Sequence, residues 1–166
     1  MTQTHKTYGL VTALAMIIVN VIFYVTGLTF KTGWAGYVQY VPFLIGIILN
    51  AQAYSKANDA NVTYGSVFTS GFKSSAITAL VLLAWTFLSV YLIFPEMKDK
   101  SMEMAAEQMA KNPNMTDEQI EMGLEMTKKF FIPFMVGGVI FGTMFFGAIF
   151  SLIGAAFAKR NPAPKA

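Results

Sequence analysis

Few side chains in this 166-residue chain are equipped for chemistry. The one histidine, His5, stands in an N-terminal tail without a partner, so it supplies neither an acid–base pair nor a metal site. Cysteine is absent, which removes disulfides, thiolate zinc sites, iron–sulfur ligation and a cysteine nucleophile. Glu103 with Glu107, and Glu118 and Glu121 with Glu125, form acidic helical faces. Such faces are usually solvated, and the rigid oxygen-rich loop that a divalent cation needs is missing. Met97, Met102, Met104, Met109, Met115, Met122 and Met126 crowd one segment, and thioethers are soft ligands for copper(I). Packing is the stronger reading. Met102, Ala105, Ala106 and Met109 share one helical face, Met122 and Met126 another, and no His or Cys assists them. The expectation is no catalytic residue, no metal ligand and no cofactor.

Four apolar runs, 8–28, 37–54, 74–94 and 130–158, contain no Asp, Glu, Lys, Arg or His. Ion-coupled pumps, proton relays and intramembrane proteases need ionisable groups or an activated nucleophile there. The polar residues with most to offer in these runs are Asn20, Asn50 and Gln52. Hydrogen bonds to neighbouring helices, each worth about 0.6–2 kcal/mol, are preferred over the lining of a polar path. In the last run Gly138-x-x-x-Gly142, followed by Gly147, Ser151 and Ala155, makes a small-residue stripe that lets helices approach closely, within one chain or between copies. Gly65 and Gly71 lack the Walker spacing of a phosphate-cradling loop.

The elements that must position these residues are organised around Ser74–Phe94, twenty-one residues without a charge between Lys73 and Pro95-Glu96. A helix of that length rises about 30 Å, the hydrocarbon thickness of a bilayer. Composition agrees: 55% of residues are hydrophobic and 13% charged, against about 25% charged in soluble domains. Net charge is +3 with scattered basic residues, so the clustered stripe of a nucleic-acid binder is missing. The run 8–28 exceeds a signal-peptide core of about 7–15 residues and reads as a retained first span. Pro42, Gln39, Asn50 and Gln52 make 37–54 the weakest span, with a re-entrant or interfacial helix as its alternative. Residues 63–73 place Tyr64, Val67, Phe68, Gly71 and Phe72 opposite Ser66, Thr69, Ser70 and Lys73, the spacing of an interfacial amphipathic helix.

The charged segment 95–129 divides into two helices. The first runs from Glu96 to about Lys111 and stops at Asn112-Pro113-Asn114. The second starts at Thr116, where Thr116-x-x-Gln119 matches a capping box and Asp117 and Glu118 suit the first turn. In the long last run Pro133 or a tilt absorbs the excess length. Four crossings put both termini on one side. Lys6, Lys56, Lys73, Lys159, Arg160 and Lys165 lie on that side, against Lys31, Lys98, Lys100, Lys111, Lys128 and Lys129 on the other. The tie leaves the decision to the long acidic loop, which translocates with little regard to its charges, so both termini are expected in the cytoplasm. Trp34, Tyr37, Tyr40 and Tyr91 would then form the outer aromatic belt, and Tyr8, Tyr54 and Tyr64 the inner one.

The order of features resembles the bacterial four-span membrane proteins of the domain of unknown function 4199 family. The matching pieces are Thr63-Tyr64-Gly65 with Phe68 and Gly71, then Phe94-Pro95-Glu96, a charged helical loop, and Lys159-Arg160-Asn161-Pro162. The resemblance implies an inner-membrane location and four spans, and no activity. The reading is an all-α integral membrane protein, a single membrane domain with four transmembrane helices and a helical extramembrane hairpin between helices 3 and 4. Its expected role is that of a non-enzymatic accessory or interaction subunit, with a small oligomeric transporter or channel as the alternative. A lipid-modifying enzyme ranks last, since the loop has carboxylates but no nucleophile–base pair. Expected partners are the lipid bilayer and either further copies or another membrane protein, and no nucleic acid.

Overall fold

Two prolines set the first boundaries of the helical architecture. The computed structural model describes residues 2–30 and 35–162. Helix α1 is His5–Val25, and a 3-10 turn at Leu28–Phe30 follows Gly27, which has a positive φ. A short helix, α2, covers Ala35–Val38, and α3 covers Tyr40–Ala57. Pro42 explains the interruption between them. Its ring would clash with the Val38 carbonyl in a continuous helix, whereas in the first turn of a new helix its missing N–H is no loss. Lys31, Trp34 and Lys165 lie outside the described residues.

Helix α4, Tyr64–Leu88, continues into a π-helical turn, Ser89–Ile93, closed by the Phe94 amide donating to the Ser89 carbonyl at 2.7 Å. Pro95 forces Phe94 out of the helical region, and its φ of −133° and ψ of 62° end the element. Helix α5 is Glu96–Ala110, and α6 is Asp117–Phe157. The capping box at the start of α6 is formed in both directions. The Thr116 amide donates to Gln119 Oε1 at 3.0 Å, and the Gln119 amide donates to Thr116 Oγ1 at 3.3 Å. The second loop helix and the last apolar run are one 41-residue helix with Pro133 inside it. Residues 63–73 likewise belong to the same helix as the third run. No strand occurs among the described residues.

The chain divides into two compact units, Met1–Leu82 with Val139–Ala166, and Leu83–Gly138. In the first, Phe43, Ile47 and Met16 form one core cluster, flanked by Tyr40, Leu82, Phe146 and Phe150. Ala51, Tyr54, Val62, Val67, Ala155 and Ala158 form another. Tyr54 is thus buried in packing instead of lying in an aromatic belt. In the second unit α5 meets the start of α6, where a side chain on Gly123 would come within 3.0 Å of Met109 Sδ. No residue of α5 is buried.

Among the described residues, three helical stretches, His5–Val25, Tyr64–Ile93 and Asp117–Phe157, are long and apolar enough to cross a membrane. Their large apolar side chains point outward. Leu10, Val11, Leu14, Ile18, Ile22 and Val25 of α1 are all exposed, and Leu80 of α4 is 68% exposed. Each such side chain left in water forgoes roughly 1.5–3 kcal/mol of burial, so a lipid environment resolves what an aqueous one would not.

Candidate functional site

Beside its two apolar clusters, the interior of the first unit holds many buried hydroxylic side chains. On α4 the buried face is Val67, Ser70, Gly71, Ser74, Ser75, Thr78 and Ala79. The amphipathic spacing of 63–73 sets Phe68 and Phe72 beside Val67 and Gly71, opposite Ser70; here Ser70 is buried with Val67 and Gly71, and the two phenylalanines are only partly so. Small and hydroxylic residues win because they permit close backbone approach and satisfy one another's polar groups, while the bulky apolar ones serve the outer surface. The signal was present as Ser70-x-x-x-Ser74-x-x-x-Thr78 and Gly71-x-x-x-Ser75, the same small-residue spacing as in the last run.

Asn50 sits at the centre of this interior with 0% exposure. Its Nδ2 donates to Ser70 Oγ at 3.2 Å, and its Oδ1 accepts from Thr4 Oγ1 at 2.8 Å, joining α3 to α4 and to the residue before α1. Thr78 Oγ1 donates at 3.1 Å to the Gly9 carbonyl and lies 3.0 Å from the Ser74 carbonyl, tying α4 to α1. Two more hydroxyls, Thr12 Oγ1 and Ser74 Oγ, are buried with no hydrogen-bond partner among the described residues. Glycines let these surfaces meet. A side chain on Gly46 would collide with Thr12, and one on Gly147 would come within 2.5 Å of Ser75 Cβ and Oγ.

The other polar candidates are placed elsewhere. Gln52 is exposed and faces away from the polar interior. Asn20, half-buried, lines a pocket of about 100 Å³ with Phe23, Leu28, Thr29, Gly36 and Gln39. The three residues therefore do not converge on one path. The glycine stripe of the last run also splits. Gly147, Ser151 and Ala155 are buried inside the first unit, Gly142 faces the Tyr40 hydroxyl, and Gly138 has open space beside it.

One end of the first unit is laced by polar contacts that sequence reasoning missed. Asn58 and Thr2 exchange two hydrogen bonds, Thr2 N–H to Asn58 Oδ1 at 2.8 Å and Asn58 Nδ2 to the Thr2 carbonyl at 3.1 Å. Ser55 Oγ donates to the Lys159 carbonyl, and the Asn161 amide donates to the Ala60 carbonyl at 2.7 Å. Arg160 lies 5.0 Å above the Tyr64 ring, whose hydroxyl donates to the Leu152 carbonyl at 2.9 Å. Asp59 and Ala60, both at positive φ, turn the chain between α3 and α4 to make these contacts. Open grooves of about 470 Å³ lie beside the turn, one lined by Gln52, Ser55, Lys56, Asp59, Ala60, Phe157 and Lys159. No group of three or more His, Cys, Asp or Glu that could hold a metal occurs among the described residues.

Long apolar helices, an interior rich in small and hydroxylic residues and an outward apolar surface define a helical protein of the membrane class. The chain belongs to the family described as protein of unknown function (DUF4199), whose model matches residues 7–160. No curated protein and no solved structure matches it.

Proposed function

We propose that this protein is a four-span component of the bacterial inner membrane, with both termini in the cytoplasm, that works by interaction and not by catalysis. The observation that carries the reading is the distribution of side chains: hydroxyls, glycines and Asn50 share the interior with two small apolar clusters, while many more large apolar residues lie outside. Helix α3 counts as the fourth span because it follows the same rule, with Val41, Ile45 and Leu49 outward and Asn50 hydrogen-bonded inward. A four-helix bundle of α1, α3, α4 and α6 follows from that assignment, with 95–129 as the extramembrane hairpin. The partner is a further copy or another membrane protein, met through the last span or the hairpin, where Phe134, Phe141, Met122 and Met126 are exposed.

In-membrane crosslinking with mass spectrometry tests this. Crosslinks from α5 or α6 to a second copy, or to one recurring membrane protein, are expected. A strictly monomeric protein with no crosslinked neighbour would remove the interaction role.

A second reading, a small oligomeric transporter, draws on the two unpartnered buried hydroxyls of Thr12 and Ser74. It requires solute flux in proteoliposomes that falls in Thr12→Val and Ser74→Ala, and unchanged flux in both would reject it.

A further inference from the structure

The groove at the end of α3 is open, polar and basic. Lys56 on α3 and Lys159, two residues past the end of α6, both line it, together with Gln52, Ser55 and the exposed ring of Phe157. Asp59 is the one carboxylate in the lining, against two ammonium groups, so the lining carries net positive charge. Arg160 follows Lys159 and adds a third cation at the same end. Below the groove, Ile45 and Leu49 continue the helix face of Gln52 and Lys56 at the spacing i, i+4, i+7, i+11, and both are exposed. A polar, basic pocket therefore opens directly above an apolar track.

We propose that this groove binds the phosphate of an anionic membrane phospholipid, whose acyl chains lie along Ile45 and Leu49. The inference rests on the membrane reading above and adds a ligand to it. Basic pockets at the membrane boundary recognise lipid headgroups in this way, with ammonium groups meeting the phosphate and apolar side chains meeting the tails. Helices α3 and α6 both end here, at Ala57 and Phe157, and their carbonyl ends carry partial negative charge. Affinity for an anion thus depends on the lysines, and their removal abolishes the preference.

The test uses the full chain reconstituted in nanodiscs of mixed phosphatidylglycerol and phosphatidylcholine, with retained lipid counted by native mass spectrometry. Retention of phosphatidylglycerol over phosphatidylcholine is expected, falling about fivefold for each lysine lost in Lys56→Gln and Lys159→Gln. The charge-conserving pair Lys56→Arg with Lys159→Arg should keep it, which separates loss of binding from loss of folding. An equal fall in Lys128→Gln with Lys129→Gln would reduce the effect to surface charge and overturn the site. Displacement of the lipid by glycerophosphate or inorganic phosphate would reassign the groove to a soluble anion. Reconstitution without any lipid preference would end this proposal and leave the membrane reading standing.

Discussion

Asn50 and Gln52 are two positions apart, yet their environments are opposite. Asn50 is fully buried with partners on two sides, and Gln52 is exposed. Asn50→Leu should therefore lower stability in detergent by about 1–2 kcal/mol, since it strands the hydroxyls of Thr4 and Ser70. Gln52→Leu should stay within about 0.5 kcal/mol of the parent. Thermal or denaturant unfolding followed by circular dichroism measures both, and equal losses would contradict the assignment. The glycines of the last run divide in the same way. Gly147→Ala forces a methyl group onto Ser75 and should cost about 1–3 kcal/mol. Gly138→Ala meets nothing within 4 Å and should be neutral or stabilising by up to about 1 kcal/mol, because alanine is the better helix former. A cost at Gly138 matching that at Gly147 would mean that the open space is occupied in the folded protein.

Helix starts and stops follow local chemistry. The capping box at Thr116 and Gln119, the restart at Pro42 and the end before Pro95 each rest on one or two residues. Thr116→Ala removes an acceptor from the first turn of α6 and should cost that turn about 1 kcal/mol. Hydrogen exchange at the amides of 117–120 would report it as roughly fivefold lower protection, with the exchange of α1 unchanged. No change at those amides would show that the turn is held by something other than its cap. Helix continuity is a different matter. No breaker separates Lys128 from Phe130 or Lys73 from Ser74, so nothing local stops α6 or α4 where the hydropathy changes. Hydropathy reports the solvent of a segment, not the end of a helix.

For the whole molecule, the proposed topology puts the α3–α4 turn and the loop 95–129 on opposite sides of the membrane. Ala57→Cys and Asn114→Cys test this in a chain with no native cysteine to mask. Both positions are exposed. In intact cells an impermeant maleimide should label Asn114→Cys, and it should reach Ala57→Cys only after permeabilisation. The reverse pattern would invert the orientation, and labelling of both from outside would mean that α3 or α4 does not cross.

The sequence alone determined that the chain is helical and apolar on the scale of a bilayer, because uncharged runs near 20 residues admit few other structures. It also determined the helix boundaries at Thr116 and Pro95, since caps and proline rings act on their nearest neighbours, whereas the break ahead of Tyr40 fell inside what reads as one span, 37–54. Only the tertiary structure decided which faces turn inward. In lipid the apolar side of a helix gains nothing by burial, so the inner face is chosen by fit and hydrogen bonding between residues such as Asn50 and Ser70, or Gly147 and Ser75. The contacts of Asn58 with Thr2 and of Ser55 with Lys159 were equally beyond sequence reading, because they join residues 56 and 104 positions apart.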